Sequence, residues 1–199
     1  TVQAADHGYS ALEGRQVFAE AATPEHFVRE HVLAGGPEAQ VDQCAVDAEA
    51  AADVLRTEAT ITVPGYALAA GDFLYVAPVV FGRTGANPLR LPERTFPVDL
   101  AYPQNRRYTL RMAVPEGYAV DAVPENVRVT LPGGGGYFQR LVQAEGGVVV
   151  VQSAVAIEQT VFEPAAYPYL RAFFDRIVAA EADQVVLRRL GEGDTGGHR

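Results

Sequence analysis

The first candidate for a catalytic residue is Cys44, the only cysteine of the chain. A cysteine nucleophile needs a histidine base, and often a helix amino terminus that lowers the pKa of its thiol. Cys44 lies instead in a strand-like run, Ala39–Val46. Two of the four histidines, His7 and His198, lie near the chain ends. We therefore expect a packed structural cysteine, which has no second cysteine for an internal disulfide.

Two further patterns lack the partners that a binding site needs. His26 and His31 are five residues apart on a predicted helix, whereas metal ligands on one helix face are three or four apart. Gly133–Gly136 is rich in glycine, but no lysine and no helix follow, so a mobile loop is favoured over a phosphate site. We predict no catalytic, cofactor-binding or metal-binding residues.

Charged side chains surround the proline-rich stretch Asn87–Pro103, near the middle of the chain. They are Glu93 and Asp99 together with Arg90, Arg94, Arg106 and Arg107. Surface ion pairs are the favoured interpretation of this cluster.

Four tyrosines of the second half are the candidate ligand-binding residues. Tyr102, Tyr108, Tyr118 and Tyr137 would form a face for a glycan or a peptide if they lay on one exposed surface. Tyrosine is also common in β-sheets, so a purely structural role stays open.

Composition limits the possible functions. The chain has 199 residues, enough for one substantial core or two small ones, and a net charge of -9. This charge argues against a general nucleic-acid binder, which needs a basic face. All 16 basic residues are arginine. No run reaches the roughly 18 apolar residues of a membrane helix, so we expect no membrane insertion.

The first half predicts strands and one helix. Tyr9–Ala22 is interpreted as a strand with Val17 and Phe18 facing inward. Thr23-Pro24 begins a helix of about three turns, because threonine caps and proline fits the first helical position. The further predicted strands are Ala39–Val46, Leu55–Val63 and Phe73–Phe81.

The second half predicts short antiparallel strands and a closing helix. The strands are Tyr108–Val114, Tyr118–Val123, Val127–Leu131, Tyr137–Gln143, Val148–Ile157 and Gln184–Leu190. The helix Glu163–Ala182 carries an apolar stripe from Leu170 to Val178.

These elements predict a mainly-β (α+β elaborated) fold, an antiparallel β-sandwich with one helix in the first half and one carboxy-terminal helix. Residues 1–86 are a mixed segment that we expect to join the same domain, residues 87–190 are the β-sandwich with its closing helix, and residues 191–199 are a disordered tail. The four prolines of Asn87–Pro103 predict an edge strand or a crossover.

Several motifs carry a resemblance to a known family. They are Asn87-Pro88, Arg94, Pro97-Val98-Asp99, Tyr102-Pro103, Pro115-Glu116-Gly117-Tyr118, Pro124, and Tyr167 ahead of Phe173-Phe174. With them the chain resembles the carboxy-terminal domain of bacterial transglutaminase-like proteins, closely over Tyr66–Leu190 and loosely over Tyr9–Gly65. In that family a β-rich domain of unknown function precedes a papain-like core and a β-sandwich follows it.

The resemblance implies a domain without the enzyme core, since none of the cysteine, histidine and aspartate of that core maps onto this chain. It implies a non-catalytic accessory domain that packs on the core or positions its substrate, with no cofactor. The implied partner is a core in the same polypeptide or operon, and the implied location is periplasmic or secreted. The alternatives are a stand-alone glycan- or peptide-binding module and, least favoured, an enzyme built on Cys44.

Overall fold

A computed structural model describes residues 1–33, 36–49 and 53–191. The strands are β1 (Val2–His7), β2 (Gln40–Asp47), β3 (Val54–Thr62), β4 (Leu68–Ala70), β5 (Phe73–Val76), β6 (Val98–Asp99), β7 (Gln104–Ala113), β8 (Tyr118–Ala122), β9 (Val127–Leu131), β10 (Gly136–Glu145), β11 (Val148–Ile157), β12 (Val161–Phe162) and β13 (Val185–Arg189). The helices are α1 (Gly8–Glu20), α2 (Pro24–Phe27) and α3 (Tyr167–Ala182).

Seven strands form a large antiparallel sheet in the order β2-β3-β1-β7-β11-β10-β9. A smaller antiparallel sheet has the order β4-β5-β13-β8, and β6 pairs with β12 alone. The amino-terminal strand β1 lies between β3 and β7, so the large sheet contains strands from residues 1–86 and from residues 87–190. The boundary between these two segments stays a prediction.

One face of the large sheet carries three hydrophobic cores side by side. Helices α1 and α2 cover β1 and β3 around Phe27 and Leu55. The small sheet covers β7 and β11 around Val151 and Leu187. Helix α3 covers β9 and β10 around Phe138. The strand register places the buried residues of each strand on this same side, which we call the inner face.

The proline-rich stretch lies against α3. Asn87 Nδ2 donates to the carbonyl oxygen of Arg171 at 2.8 Å, and Tyr167 Oη donates to that of Leu91 at 2.6 Å. Only Val98–Asp99 forms a strand, because proline cannot supply regular ladder donors. The expectation of an edge strand or crossover agrees with this placement.

The strand predicted for Tyr9–Ala22 is wrong, since Gly8–Glu20 is the helix α1. Its buried residues, Ala11 and Gly14, are three apart as a helix requires, and their small size brings the helix close to the sheet. A methyl group on Gly14 would lie 2.5 Å from Leu55 Cδ2. Val17, predicted to face inward, is instead exposed.

The predicted start of the second helix is confirmed. Thr23 Oγ1 accepts a hydrogen bond from the backbone N–H of His26 at 3.1 Å, and Pro24 is the first helical residue. After Phe27 the chain continues as a π-helical turn, Val28–Val32.

Other predicted elements differ in length. The strand predicted for Phe73–Phe81 ends at Val76, although Val79 and Phe81 are buried. The opening of the predicted last helix is a 3₁₀ turn, Pro164–Ala166. The predicted tail, apart from Gly191, lies outside the described residues.

The mainly-β prediction is confirmed, with three helices rather than the two expected. Among the described residues no helix is both long enough and apolar enough to span a membrane.

Candidate binding surface on the open sheet face

The large sheet leaves its second face uncovered. On this side, which we call the open face, no helix or second sheet of the described residues packs, because all of them contribute to cores on the inner face. The side chains that point outward here are mostly polar and exposed or half-buried. They include Gln3, Arg56, Arg107, Thr109, Arg111, Arg128, Tyr137, Gln139 and Gln152.

One row of residues crosses the open face from edge to edge. The strand register places Asp47, Arg56, Ala5, Arg107, Ala154, Gln139 and Arg128 opposite one another on successive strands. Ala5 and Ala154 lie on either side of Arg107 in this row. Because their side chains are small, the sheet surface is recessed beside Arg107. We call Arg56, Arg107 and Arg128 the arginine row.

Two grooves adjoin on the open face. One, of about 400 Å³, is lined by residues of β1, β2, β3 and β7, among them Gln3 and Arg56. The other, of about 280 Å³, is lined by residues of β7, β10 and β11, among them Tyr137 and Gln152. Arg107 and Thr109 line both, so the grooves form one polar depression across the sheet.

The four tyrosines that the sequence singled out do not share one face. Tyr137 points to the open face, where the guanidinium of Arg128 lies 5.6 Å from the ring centroid. Tyr108 packs in the inner cores, and its hydroxyl donates to the carbonyl oxygen of Pro78 at 3.2 Å. Burial raises the pKa of Tyr108 to about 12.

The remaining two tyrosines lie elsewhere. Tyr118 belongs to β8 of the small sheet, and the guanidinium carbon of Arg189 lies 5.7 Å from the centroid of its ring. Tyr102, after the proline-rich stretch, contacts Tyr9 with ring centroids 5.6 Å apart. The single tyrosine face that the sequence suggested is therefore not formed, and Tyr137 alone belongs to the open face.

The charged cluster of the sequence also divides. Consecutive residues of a strand point to opposite faces, so Arg107 lies on the open face and Arg106 on the inner one. Arg106 Nη2 lies 3.0 Å from Oε1 of the buried Glu181. The guanidinium carbon of Arg94 lies 5.9 Å from the centroid of the Tyr167 ring. Asp99 Oδ1 accepts a hydrogen bond from the backbone N–H of Ala101.

Cys44 and His31 lie beside the core of α1 and α2. Cys44 packs against the core of α1 and α2, and partial burial, with a smaller effect of the negative charge of Glu25, raises the pKa of its thiol. A raised pKa disfavours the thiolate that a nucleophile needs. His31 stacks on Phe27, and its Nε2 lies 3.7 Å from Asp6 Oδ2.

A partly open pocket of about 130 Å³ lies between β1, β7 and the loop before the proline-rich stretch. Its polar lining comes from Asp6, His31, Arg106, Ser153 and Glu181. The polar side chains of this set already contact one another, as His31 with Asp6 and Arg106 with Glu181. Among the described residues no cluster of histidine, cysteine and carboxylate side chains could hold a metal ion.

The residues of the open face were missed as a group in the sequence. The sequence feature that could have found them is the alternation of residues along each strand. Arg107, Thr109 and Arg111 are alternate residues of β7, and Gln139 and Leu141 are alternate residues of β10. Alternation shows that such residues share a face within one strand. It does not show that β1, β7, β11, β10 and β9 are neighbours.

Residues 72–187 match DUF3858, described as a domain of unknown function with solved structure. The chain belongs to this family. The matched DUF3858 region runs from the start of β5 into β13, and thus contains the small sheet's central strands, α3, and the strands β7, β9, β10 and β11 of the open face. It also falls within the segment on which the sequence resemblance is closest.

The structure is similar to a crystal structure described as a "putative protease" from Parabacteroides distasonis. The match has a TM-score of 0.44 and 15% sequence identity, and covers 49% of this chain and 19% of that one. The chain therefore spans about a fifth of the length of that protein. No curated protein matches this DUF3858 chain.

Proposed function

We propose that this DUF3858 chain is a non-catalytic interaction domain whose open sheet face docks a partner protein. The observation that carries the proposal is the asymmetry of the large sheet. The inner face is buried in three hydrophobic cores. The open face carries two adjoining polar grooves, and no element of the described residues covers it. A polar sheet face with amide and guanidinium groups can bind another protein without rearranging its own core.

The partner suggested by the sequence resemblance is a transglutaminase-like core, encoded in the same polypeptide or the same operon. In this proposal the domain packs on that core or positions a protein substrate for it. The motifs that carry the resemblance lie in the proline-rich stretch and around α3, and they build the scaffold behind the open face. Such a parent protein would be exported, so the proposed location is periplasmic or secreted.

The test is binding between this chain and the purified core, followed by isothermal titration calorimetry. Gln152→Trp places a bulky uncharged side chain on the open face and should weaken binding by at least tenfold, because it fills the groove beside Thr109. Gln184→Trp is the matched control, since Gln184 is exposed beside α3 and away from the open face. Equal affinities of the two variants, or no binding of the unchanged chain, would refute the docking proposal.

A stand-alone module that binds a peptide or a glycan is the second candidate function. The observation that favours it is the groove lined by Tyr137, Gln139 and Gln152, which combines an aromatic ring with amide groups. A peptide and glycan array probed with the unchanged chain tests it. No signal above that of the Gln152→Trp variant, whose groove is filled, would exclude this candidate.

A further inference from the structure

We infer that the open face binds an extended acidic peptide, which lies across the strands along the arginine row. This inference rests on the proposed interaction function and names the chemistry of the partner segment. It follows from four features of the face: the distribution of charge, the absence of partners for Arg56 and Arg107 among the described residues, the spacing of the arginine row, and the stacking of Arg128 on Tyr137.

The part of the open face formed by β1, β7, β11, β10 and β9 is basic, whereas the protein as a whole is acidic. The chain has 25 acidic and 16 basic residues. On these five strands the outward positions carry Arg107, Arg111 and Arg128, and the one carboxylate among them is Glu145 at the hairpin end. Around Arg56, by contrast, β2 and β3 also carry the carboxylates of Asp47 and Glu58. A basic area on a protein of net charge -9 attracts an anionic segment while the rest of the surface repels it.

The arginines of this area are available for a ligand. Within the described residues, neither Arg56 nor Arg107 forms a hydrogen bond or an ion pair, although both lie in polar surroundings. Arg128 is held in place, because its Nη1 donates to Gln139 Oε1 at 3.0 Å while its guanidinium stacks on Tyr137. Each guanidinium can donate two parallel hydrogen bonds to a carboxylate.

The spacing of the arginine row fits an extended chain. Neighbouring strands are about 4.8 Å apart, so Arg56 and Arg107 are about 10 Å apart and Arg107 and Arg128 about 14 Å. An extended peptide advances about 3.4 Å per residue, so about seven residues span the row. Ala5 and Ala154 leave the backbone of such a peptide room between the arginines.

The stacking of Arg128 on the Tyr137 ring favours a peptide over a glycan as the ligand. Sugar rings are bound by stacking on a free aromatic face, and one face of the Tyr137 ring is covered by Arg128. The amide side chains of Gln3, Gln139 and Gln152 are instead suited to the N–H and C=O groups of a peptide backbone.

The test is fluorescence anisotropy with a labelled peptide of about eight residues that contains four glutamates. Binding should weaken as salt is added, because the contacts are between exposed charges. The peptide with glutamine at those four positions should bind at least tenfold more weakly. If both peptides bind alike, or neither binds, the inference is wrong.

Variants locate the site on the face. Arg107→Gln should weaken binding of the acidic peptide about three- to tenfold, and Arg56→Gln and Arg128→Gln should act in the same direction. Arg176→Gln is the matched control, since Arg176 is exposed on α3, behind the inner face, and should leave the affinity unchanged. An equal effect of the control would show non-specific attraction and would overturn the inference.

Two further outcomes separate this inference from the docking proposal. If oligogalacturonate, a carboxylated glycan, binds and the acidic peptide does not, the inferred ligand class is wrong. If the acidic peptide does not bind but Gln152→Trp still weakens binding to the core at least tenfold, the docking proposal holds and only the acidic-segment inference fails.

Discussion

Arg106 on β7 and Glu181 near the carboxy-terminal end of α3 form an ion pair, with 3.0 Å between Nη2 and Oε1. Glu181 is buried, and its other oxygen, Oε2, accepts the backbone N–H of Thr84 at 2.6 Å. One carboxylate thus joins the large sheet, the last helix and the segment that leads into the proline-rich stretch.

Glu181→Ala should lower the free energy of unfolding by about 2 kcal/mol. The Thr84 N–H loses its acceptor, whereas the half-exposed Arg106 can be hydrated again, which limits the loss. Urea denaturation followed by circular dichroism measures it. Glu116→Ala, at an exposed turn, is the control and should change stability little. A Glu181 variant as stable as this control would show that the ion pair does not hold these elements together.

Arg140→Met should destabilise the protein by about 3 kcal/mol. Arg140 is fully buried and donates to the carbonyl oxygens of Ala180 and Glu125 and to the carboxylate of Asp183, where α3 ends. Methionine keeps much of the volume but removes the hydrogen bonds that Arg140 donates to all three acceptors. Arg128→Met, on the neighbouring strand but on the open face, is the matched control for thermal denaturation. Equal losses in the two variants would contradict the structural role of Arg140.

Gly136→Ala should destabilise the protein by more than 2 kcal/mol, because a methyl group there would meet the carbonyl oxygen of Ala156 and lie 2.9 Å from Ile157 Cα. Gly146→Ala separates this clash from backbone strain alone. Gly146 has a φ of +57° with open space around it and should lose only about 1 kcal/mol. Similar chemical-denaturation midpoints for the two variants would disprove the close contact between β10 and β11.

Stability should fall as the pH rises from 10 towards 12, because burial raises the pKa of Tyr108 from 10.0 to about 12. In this range the unfolded chain loses the hydroxyl proton and the folded chain keeps it, so the stabilisation present below pH 10 is lost. The loss is at most about 3 kcal/mol. The chain has no lysine, whose ammonium group would otherwise titrate in the same range.

Tyr108→Phe tests this dependence by urea denaturation at a series of alkaline pH values. Phenylalanine cannot ionise, so the variant should show a shallower decline than the unchanged protein. Tyr9→Phe is the control, since Tyr9 is exposed and its loss should leave the decline unchanged. Identical slopes for all three proteins would mean that Tyr108 is not the group responsible.

Local signals in the sequence predicted most elements correctly. The cap at Thr23-Pro24, the apolar stripe of α3 and the hairpin of β10 and β11 depend on neighbouring residues and can be read from spacing alone. The error at α1 has a physical cause. Its buried stripe is Ala11 and Gly14, which carry almost no hydrophobic signal, and only the close approach to Leu55 shows why they are small.

The amino-acid sequence by itself determined the mainly-β class, the turns and the type of side chain on each strand face, because these depend on alternation and on single residues such as proline and glycine. Only the tertiary structure decided which faces meet. It separated the four tyrosines, divided Arg106 from Arg107, and aligned Arg56, Arg107 and Arg128 into one row. Strand order is set by contacts between residues far apart in the chain, and no local pattern records it.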